Sequence, residues 1–250
     1  MPQDDGHFDA QVARTYDADH PTDPATLRAT VETLRDLACG GAVLEFASGT
    51  GRIALPLAAA GVPVSGIELS APMTAILRAK PGGARIPVVT GDMTTARCPG
   101  TFALVVLAFN TIDNLTTQAA QCACFRNAAA HLAPGGRFVV ETLVPPLQRL
   151  PPGSRRIAFA SGPEHFGVDE IDVVSQTYTS HHIRLRGGVP QPPQSVPFRY
   201  AWPAELDLMA QMAGLAPEYR WADWHRRPFT AASTAHVSVW RKATRATEDP

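Results

Sequence analysis

The chain has 250 residues, of which 45% are hydrophobic, and a formal net charge of −1 at pH 7. This length can bury one sizeable core, so we expect one globular domain with an elaboration. The near-neutral charge argues against nucleic acid or an anionic membrane as a partner, because both attract an excess of basic residues.

Export, membrane insertion and metal binding are not expected either. The amino end lacks a charged-then-apolar signal region, and no apolar run reaches about 18 residues, so we expect a cytoplasmic protein. The four cysteines are too few for a disulfide scaffold and lack the paired spacing of a zinc site. We therefore expect reduced, structural cysteines and no metal.

The chain is predicted to begin with two helices. An apolar residue at every fourth position from Phe8 to Tyr16 predicts a short helix that breaks into a loop at Tyr16. Asp23 suits the cap of a second helix, and Pro24 suits its first position. We expect residues 1–40 to form a helical lid.

Short apolar runs then alternate with helical patterns as far as residue 145. The predicted strands span residues 43–46, 62–69, 86–89, 102–109 and 137–143. Strands that alternate with helices are typical of a parallel sheet with right-handed crossovers. The run at 102–109 is almost entirely apolar, which favours the centre of the sheet.

The pattern changes where prolines become frequent, after residue 144. Extended segments are predicted at residues 155–159, 171–178 and 181–185, followed by a helix at 203–213 and final strands at 217–224 and 236–241. The sequence thus predicts an α/β fold: a Rossmann-like, seven-stranded, mostly parallel sheet with helices on both faces. Residues 1–145 together with 203–243 would form this core. Residues 146–202 would form an inserted antiparallel, substrate-binding layer over the active-site mouth.

The loop after the first predicted strand is the strongest functional signal. Ala47, Gly49 and Gly51 have little or no side chain, so a ligand can approach the main chain closely. The loop joins the carboxyl end of a strand to the start of a helix, where open α/β sheets bind ligands. A nucleotide-sized ligand is therefore expected.

Acidic residues at the ends of consecutive strands sharpen this expectation. A carboxylate at Glu68 can accept both hydroxyl hydrogens of a ribose, and Asp92 can accept from the exocyclic amine of adenine. Met73 or Met93 offers a soft apolar face to the ring. Each residue alone could be a cap, a turn or core residue, but together with Glu45 they predict a nucleoside site.

These motifs together resemble the class I S-adenosylmethionine-dependent methyltransferases. The matching segments are residues 43–51, 66–70, 91–93 and 131–136. The resemblance covers roughly residues 40–145, and it implies methyl transfer from S-adenosylmethionine. Ala47 departs from the pattern, since many members have glycine there, but alanine still permits close approach.

The resemblance also implies which residues contact the cofactor. Glu45 and the loop backbone would hold its methionine portion, Phe109 would close that end, and Tyr16 on the lid would reach its carboxylate. The full set is Tyr16, Glu45, Ala47, Ser48, Gly49, Gly51, Glu68, Leu69, Met73, Asp92, Met93 and Phe109.

The methyl acceptor is expected to be a small molecule with an oxygen or nitrogen nucleophile. Direct displacement needs alignment in a dry site, and a base is optional. A phenol or an ammonium must lose a proton, for which histidine is best matched. Catalytic candidates are His181 and His182, of which an alternating strand turns one inward, and Asn110 after the fourth strand. His225 is a weaker candidate.

Two alternatives remain open. A nicotinamide-dependent dehydrogenase would share the architecture, but Ala54 breaks the Gly-x-Gly-x-x-Gly pattern and Glu45 would repel a diphosphate. A non-catalytic protein could bind the cofactor only to order its fold. Residues 109–112 lack the Asn/Asp-Pro-Pro-Tyr/Phe motif of amino-methylating nucleic-acid enzymes, which again argues against nucleic acid. We expect a monomer or a homodimer.

Overall fold

The computed structural model describes residues 8–244. Its helices are α1 (Ala10–Asp19), α2 (Pro24–Ala38), α3 (Ala54–Ala59), α4 (Ala71–Ala79), α5 (Gln118–His131) and α6 (Pro203–Met212). Its strands are β1 (Val43–Phe46), β2 (Val64–Glu68), β3 (Val88–Thr90), β4 (Phe102–Leu107), β5 (Leu132–Leu143), β6 (Arg156–Ser161), β7 (His165–Asp172), β8 (Thr177–Arg186), β9 (Val189–Pro190), β10 (Gln194–Arg199), β11 (Leu215–Trp221) and β12 (Ala235–Lys242). Short 3₁₀ turns lie at Gly83–Arg85, Thr111–Asn114 and Pro146–Arg149.

The main sheet has seven strands in the order β11-β12-β5-β4-β1-β2-β3. Neighbouring strands from β5 to β3 are parallel, and β12 runs antiparallel to both β5 and β11. All four residues of β1 are buried, because helices cover both faces of the sheet. Side chains of α5 and α6 pack on one face, and those of α2, α3 and α4 pack on the other. The predicted Rossmann-like fold is confirmed.

A second, antiparallel sheet contains β10, β8, β7 and β6 in that order, with β9 paired to β8. The predicted antiparallel layer is therefore confirmed, but the bounds predicted for one of its extended segments were wrong. The extended segment expected at 171–178 is instead the end of β7, a turn and the start of β8. Gln176 in that turn has a φ of 57°, which no strand residue adopts.

The sequence did not predict β10. Pro197 lies within it and has no main-chain N–H to donate to a ladder. The strand tolerates Pro197 because it pairs only with β8 and so lies at the edge of the second sheet.

The predicted break of the first helix at Tyr16 was wrong. Asp9 caps α1 by accepting from the Gln11 and Val12 amides, and the helix continues to Asp19. The Thr15 hydroxyl donates to the Asp19 carboxylate at 2.7 Å, which supports the extra turn. Residues 1–7, with which the predicted lid begins, lie outside the described residues.

The helix starts that follow agree with the capping signals. Asp23 accepts from the Thr26 amide at 2.8 Å, and Ser70 accepts from the Met73 amide at 3.2 Å. The strand β4 is shorter than predicted and ends at Leu107, because Phe109 and Asn110 take φ values of 61° and 57°. No helix within residues 8–244 is long and apolar enough to cross a bilayer.

Candidate active site

A cavity of about 1560 Å³ lies at the carboxyl ends of β1 to β4. Helix α1 lines part of it through Val12 and Tyr16, and the second sheet lines another part through residues of β6, β7, β8 and β10. Helix α1 and the second sheet thus both border the cavity at the edge of the main sheet where ligands bind in folds of this kind.

The loop after β1 takes left-handed main-chain conformations. Its φ values are 51° at Ala47, 53° at Gly49 and 85° at Gly51, so Ala47 occupies a region that favours glycine. Ala47 and Gly49 line the cavity, whereas Ser48 and Gly51 do not. Ser48 is buried beneath the loop, in space that exists because Gly66 has no Cβ: an added one would lie 2.6 Å from the Ser48 Oγ.

Glu68 at the end of β2 lines the cavity and is held by main-chain donors. Its Oε2 accepts from the Gly49 amide at 2.8 Å, and its Oε1 accepts from the Ser70 amide at 2.8 Å. Hydrogen bonds to an ionised carboxylate are among the stronger ones, so these two amides fix the orientation of Glu68. Leu69 and Met73 line the cavity beside it.

Asp92 and Met93 line the cavity beyond β3. Asp92 is exposed, and its Oδ1 accepts from the Thr94 amide at 2.7 Å. Met93 is buried, and the Asn127 amide group donates to its carbonyl at 2.8 Å. The strand-end residues predicted from the sequence therefore come together along one wall.

Glu45 lies in β1, one residue before its end, and does not line the cavity. Its side chain is buried, and Oε2 has no hydrogen-bond partner within residues 8–244. Burial raises the pKa of Glu45 to about 8, against the opposing effects of the Ala54 amide and the Arg52 charge. Its predicted contact with the cofactor stays a prediction.

An aromatic and cationic cluster closes the cavity beside α1. The Arg52 guanidinium lies 3.7 Å from the Phe109 ring centroid, and its Nη2 donates to the Tyr16 hydroxyl at 3.4 Å. The Tyr16 and His20 rings are 4.6 Å apart. Tyr16, His20 and Phe109 line the cavity, and burial raises the pKa of Tyr16.

His20 and Arg52 were not predicted from the sequence. His20 follows Tyr16 by four positions and so lies on the same side of a continuous helix. The break predicted at Tyr16 left His20 outside the helix. Arg52 directly follows the glycine loop, but no local pattern indicates that its side chain reaches Phe109.

Polar contacts fasten α1 to the core. The Thr50 hydroxyl donates to the Asp17 carboxylate at 2.6 Å, and the Lys80 ammonium lies 2.6 Å from the other oxygen of Asp17. Lys80 also donates to the Thr50 carbonyl at 2.8 Å. Just before α1, the Phe8 carbonyl accepts from the Ser70 hydroxyl at 2.6 Å.

On the second sheet, β8 presents alternate residues to the cavity: Tyr178, Ser180, His182 and Arg184. His181 does not line the cavity, and its Nδ1 lies 2.9 Å from the Ser195 hydroxyl on β10. The His182 Nδ1 lies 3.0 Å from the His165 Nε2. Burial first, then the Arg184 charge, lowers the pKa of His182 to about 4, so the ring is neutral near pH 7.

Tyr178 connects the second sheet to the loop after β4. Its hydroxyl donates to the Asp113 carboxylate at 3.0 Å, and its ring stacks on Phe198 at 5.0 Å. Burial raises the pKa of Asp113 to about 7. This pair was not predicted from the sequence, where Tyr178 was placed at the end of an extended segment at 171–178 rather than in β8.

The remaining candidates divide between the cavity and other parts of the surface. Asn110 lines the cavity, and its main-chain N–H donates to the Glu141 main-chain carbonyl at 3.1 Å. His225 does not line it. Within residues 8–244, no cluster of three or more His, Cys, Asp or Glu side chains could hold a metal ion.

Comparisons with known proteins agree on one kind of domain. A family model described as a methyltransferase domain matches residues 43–136. An N,N-dimethyltransferase of Streptomyces fradiae, named for dTDP-3-amino-3,6-dideoxy-α-D-glucopyranose, is 33% identical over 147 residues, which cover 56% of this chain. The matched region spans about half of that relative, 55% of its length.

Solved structures extend the similarity to nearly the whole chain. The CcbJ methyltransferase from Streptomyces caelestis is 38% identical with a TM-score of 0.85, and the match covers 97% of this chain and 100% of that one. CalS10, an amino pentose methyltransferase from Micromonospora echinaspora solved with S-adenosylmethionine bound, has a TM-score of 0.69 over 96% of this chain and 100% of its own. Its 20% identity establishes the likeness of fold alone.

Proposed function

The chain belongs to the class I S-adenosylmethionine-dependent methyltransferases, and from this premise we propose that it methylates an amine nitrogen of a small molecule, with an amino sugar as the favoured class. The main support for the proposal is that one cavity has two kinds of wall. The strand ends of the main sheet form a wall that suits a nucleoside, and the second sheet forms a polar wall. The relative named for an amino sugar supports the choice of acceptor. The comparisons do not favour the dehydrogenase or the non-catalytic alternative.

The cofactor-side wall fits S-adenosylmethionine. The Glu68 carboxyl group lines the cavity and accepts from the Gly49 and Ser70 amides, and a carboxylate is the usual partner of ribose hydroxyls at this strand end. A Cβ built on Gly49 would have open space in front of it, its nearest neighbour being the Ala47 carbonyl oxygen at 3.9 Å, so a ligand can approach the loop. When bound, the cofactor supplies an electrophilic methyl group on its sulfonium sulfur.

Residues at both ends of this wall would hold the cofactor's polar groups. Glu68 would hold the ribose, and Asp92 with the Met93 main chain would hold the adenine. At the opposite end, the Arg52 guanidinium and the Tyr16 hydroxyl would hold the methionine carboxylate, because a guanidinium suits a carboxylate anion.

The second-sheet wall would position the acceptor. His182 faces the cavity, and since its pKa is about 4 the neutral ring can accept a hydrogen bond from an amine N–H near pH 7. So low a pKa makes His182 a weak base. Alignment of the nitrogen by His182, with Asn110 at the end of β4, would therefore contribute more than proton abstraction.

The lid would exclude water during transfer. The contacts of Asp17 with Thr50 and Lys80 hold α1 against the core. The Tyr16, Phe109 and Arg52 cluster fills the space between α1 and the end of β4. A dry cavity strengthens the electrostatic interactions inside it and favours the aligned nucleophile.

Mass spectrometry of methyl transfer tests this function. The purified protein is incubated with S-adenosylmethionine and with dTDP-3-amino-3,6-dideoxy-α-D-glucopyranose, and in parallel with the dTDP sugar that bears a hydroxyl at carbon 3. We expect one or two methyl groups on the nitrogen of the amino sugar and none on the hydroxyl sugar. Methylation of the hydroxyl sugar alone would contradict the choice of nitrogen, and no transfer to either sugar would contradict the sugar class.

A further inference from the structure

Asp169 is a carboxylate on the cavity wall of the second sheet. It lies on β7 directly opposite Ser180 of β8 and lines the cavity. The Ser180 hydroxyl donates to its Oδ1. Asp169 is partly buried, and it stands on the same wall as His182 and Phe159.

The other oxygen of Asp169 has no donor among residues 8–244. No hydrogen bond to Oδ2 and no ion pair of Asp169 occurs within the part of the chain that the structure describes. Desolvation raises the pKa of Asp169, whereas the hydrogen bond from the Ser180 hydroxyl and the charge of His181 act to lower it. His181 does not line the cavity. A partly buried carboxylate without a cation costs free energy unless a ligand supplies the cation.

His182 and His165, which lie beside Phe159, do not supply it. His182 and His165 both have lowered pKa values, for which burial is the largest cause, so both rings are neutral near pH 7. Phe159 packs against them, with its ring centroid 5.1 Å from that of His182 and 5.9 Å from that of His165. An ammonium group that enters beside Asp169 would meet this carboxylate, the neutral His182 ring and the Phe159 ring. Arg184 also lines the cavity, but it lies four residues beyond Ser180 on β8. A carboxylate and an aromatic ring both attract a cation.

We propose that Asp169 recognises the ammonium group of the methyl acceptor, with Ser180 holding the carboxylate in place. The proposal rests on the proposed function, since it concerns the acceptor of that same site. Asp169 is thereby a specificity-determining residue: it selects amines over hydroxyl compounds of the same shape, because a hydroxyl group offers no charge to pair with the carboxylate.

Calorimetric binding in the presence of S-adenosylhomocysteine tests the proposal with the matched pair of dTDP sugars named above. We expect the wild-type protein to bind the amino sugar more tightly than the hydroxyl sugar by about tenfold to a hundredfold. In Asp169→Asn this preference should disappear through weaker binding of the amino sugar, with binding of the hydroxyl sugar and of S-adenosylhomocysteine unchanged.

Glu170→Gln is the matched control. Glu170 is the next residue on β7, does not line the cavity, and pairs with Arg156 at 2.8 Å. The control should keep the wild-type preference. An Asp169→Asn variant that still prefers the amino sugar, or a wild-type protein that binds neither sugar or both equally, would overturn the proposal.

Methyl transfer is scored separately in the same preparations. A protein that shows the expected binding preference but transfers no methyl group would contradict the proposed function and leave the recognition role of Asp169 supported. Thermal unfolding of both variants shows whether each retains the fold.

Discussion

A hydrogen bond between Gly49 and Glu68 connects the loop after β1 to the end of β2: the Gly49 amide donates to the Glu68 Oε2 at 2.8 Å. The loop after β1 is therefore held by the same carboxylate that would hold the ribose. This relation explains why the loop keeps its left-handed conformation at Gly49 with φ at 53°, since a buried acceptor fixes the direction of the amide.

Glu68→Gln should weaken both the fold and cofactor binding. The glutamine amide group places a donor where an acceptor is needed, against the Gly49 or the Ser70 amide. We expect a loss of about 1–3 kcal/mol in the free energy of unfolding and at least about a tenfold loss of S-adenosylhomocysteine affinity. Urea unfolding and calorimetry measure the two effects.

Asp92→Asn is the comparison for this change. Asp92 is exposed, so its substitution should reduce S-adenosylhomocysteine affinity with little change in stability. A Glu68→Gln protein with wild-type affinity and stability would show that the carboxylate does not organise the loop.

Glu45 should make stability fall with rising pH. Burial raises its pKa in the folded protein to about 8, from an ordinary value of 4.5. The folded state therefore binds the proton more tightly than the unfolded state, and the free energy of unfolding decreases as pH rises from about 4.5 to about 8. The total decrease should be on the order of a few kcal/mol.

Urea unfolding between about pH 7 and pH 8 isolates this effect, because the raised pKa of Asp113, about 7, contributes mainly below that range. Glu45→Gln should remove most of the wild-type decrease there. An equal decrease in wild type and Glu45→Gln would rule out Glu45 as its source.

Asp17→Asn should weaken the contact of α1 with the core. Asp17 contacts Thr50 and Lys80 but its side chain is 50% exposed, so its loss should cost at most about 1 kcal/mol of stability. If α1 covers the bound cofactor as proposed, the loss of the same free energy from the bound state should speed S-adenosylhomocysteine dissociation about fivefold. Stopped-flow fluorescence measures that rate. Asp36→Asn, which breaks an ion pair with Arg226 that is 2.7 Å long, is the control and should leave it unchanged.

Gly167→Ala should disturb the acceptor wall without affecting the cofactor. A Cβ on Gly167 would overlap the Phe159 ring, which must then move from its place beside His182. We expect a loss of about 1–3 kcal/mol of stability from overpacking and a raised KM for the acceptor, with unchanged S-adenosylhomocysteine affinity.

Gly162→Ala, in the turn between β6 and β7, is the control, since the nearest atom to its Cβ would be the His165 carbonyl oxygen at 3.9 Å. An acceptor KM that rises equally in both variants would show that the Phe159 position does not shape the acceptor site.

Local patterns in the sequence were sufficient to predict most of the main sheet. Apolar runs gave β1 and β4, and the caps at Asp23 and Ser70 gave the starts of α2 and α4, because strand burial and helix capping depend on neighbouring residues. The positions of Glu68 and Asp92 on one wall followed from parallel strand ends meeting at one edge.

Contacts between distant segments could not be predicted in this way. Arg52 reaches Phe109 across 57 positions (109 − 52), and Tyr178 reaches Asp113 across 65, so no local period reports either contact. Glu45 lies near the end of β1 as predicted, but its side chain is buried and does not line the cavity. In the second sheet, Pro197 argued against a strand, so β10 was not predicted; its pairing with β8 is a contact between distant segments.

Isothermal titration of the wild-type protein with S-adenosylhomocysteine tests the central claim most directly. We predict saturable binding of one molecule per chain, which weakens in Glu68→Gln. The absence of any binding heat, with no stabilisation against thermal unfolding at saturating ligand, would contradict the assignment of this cavity to the sulfonium cofactor.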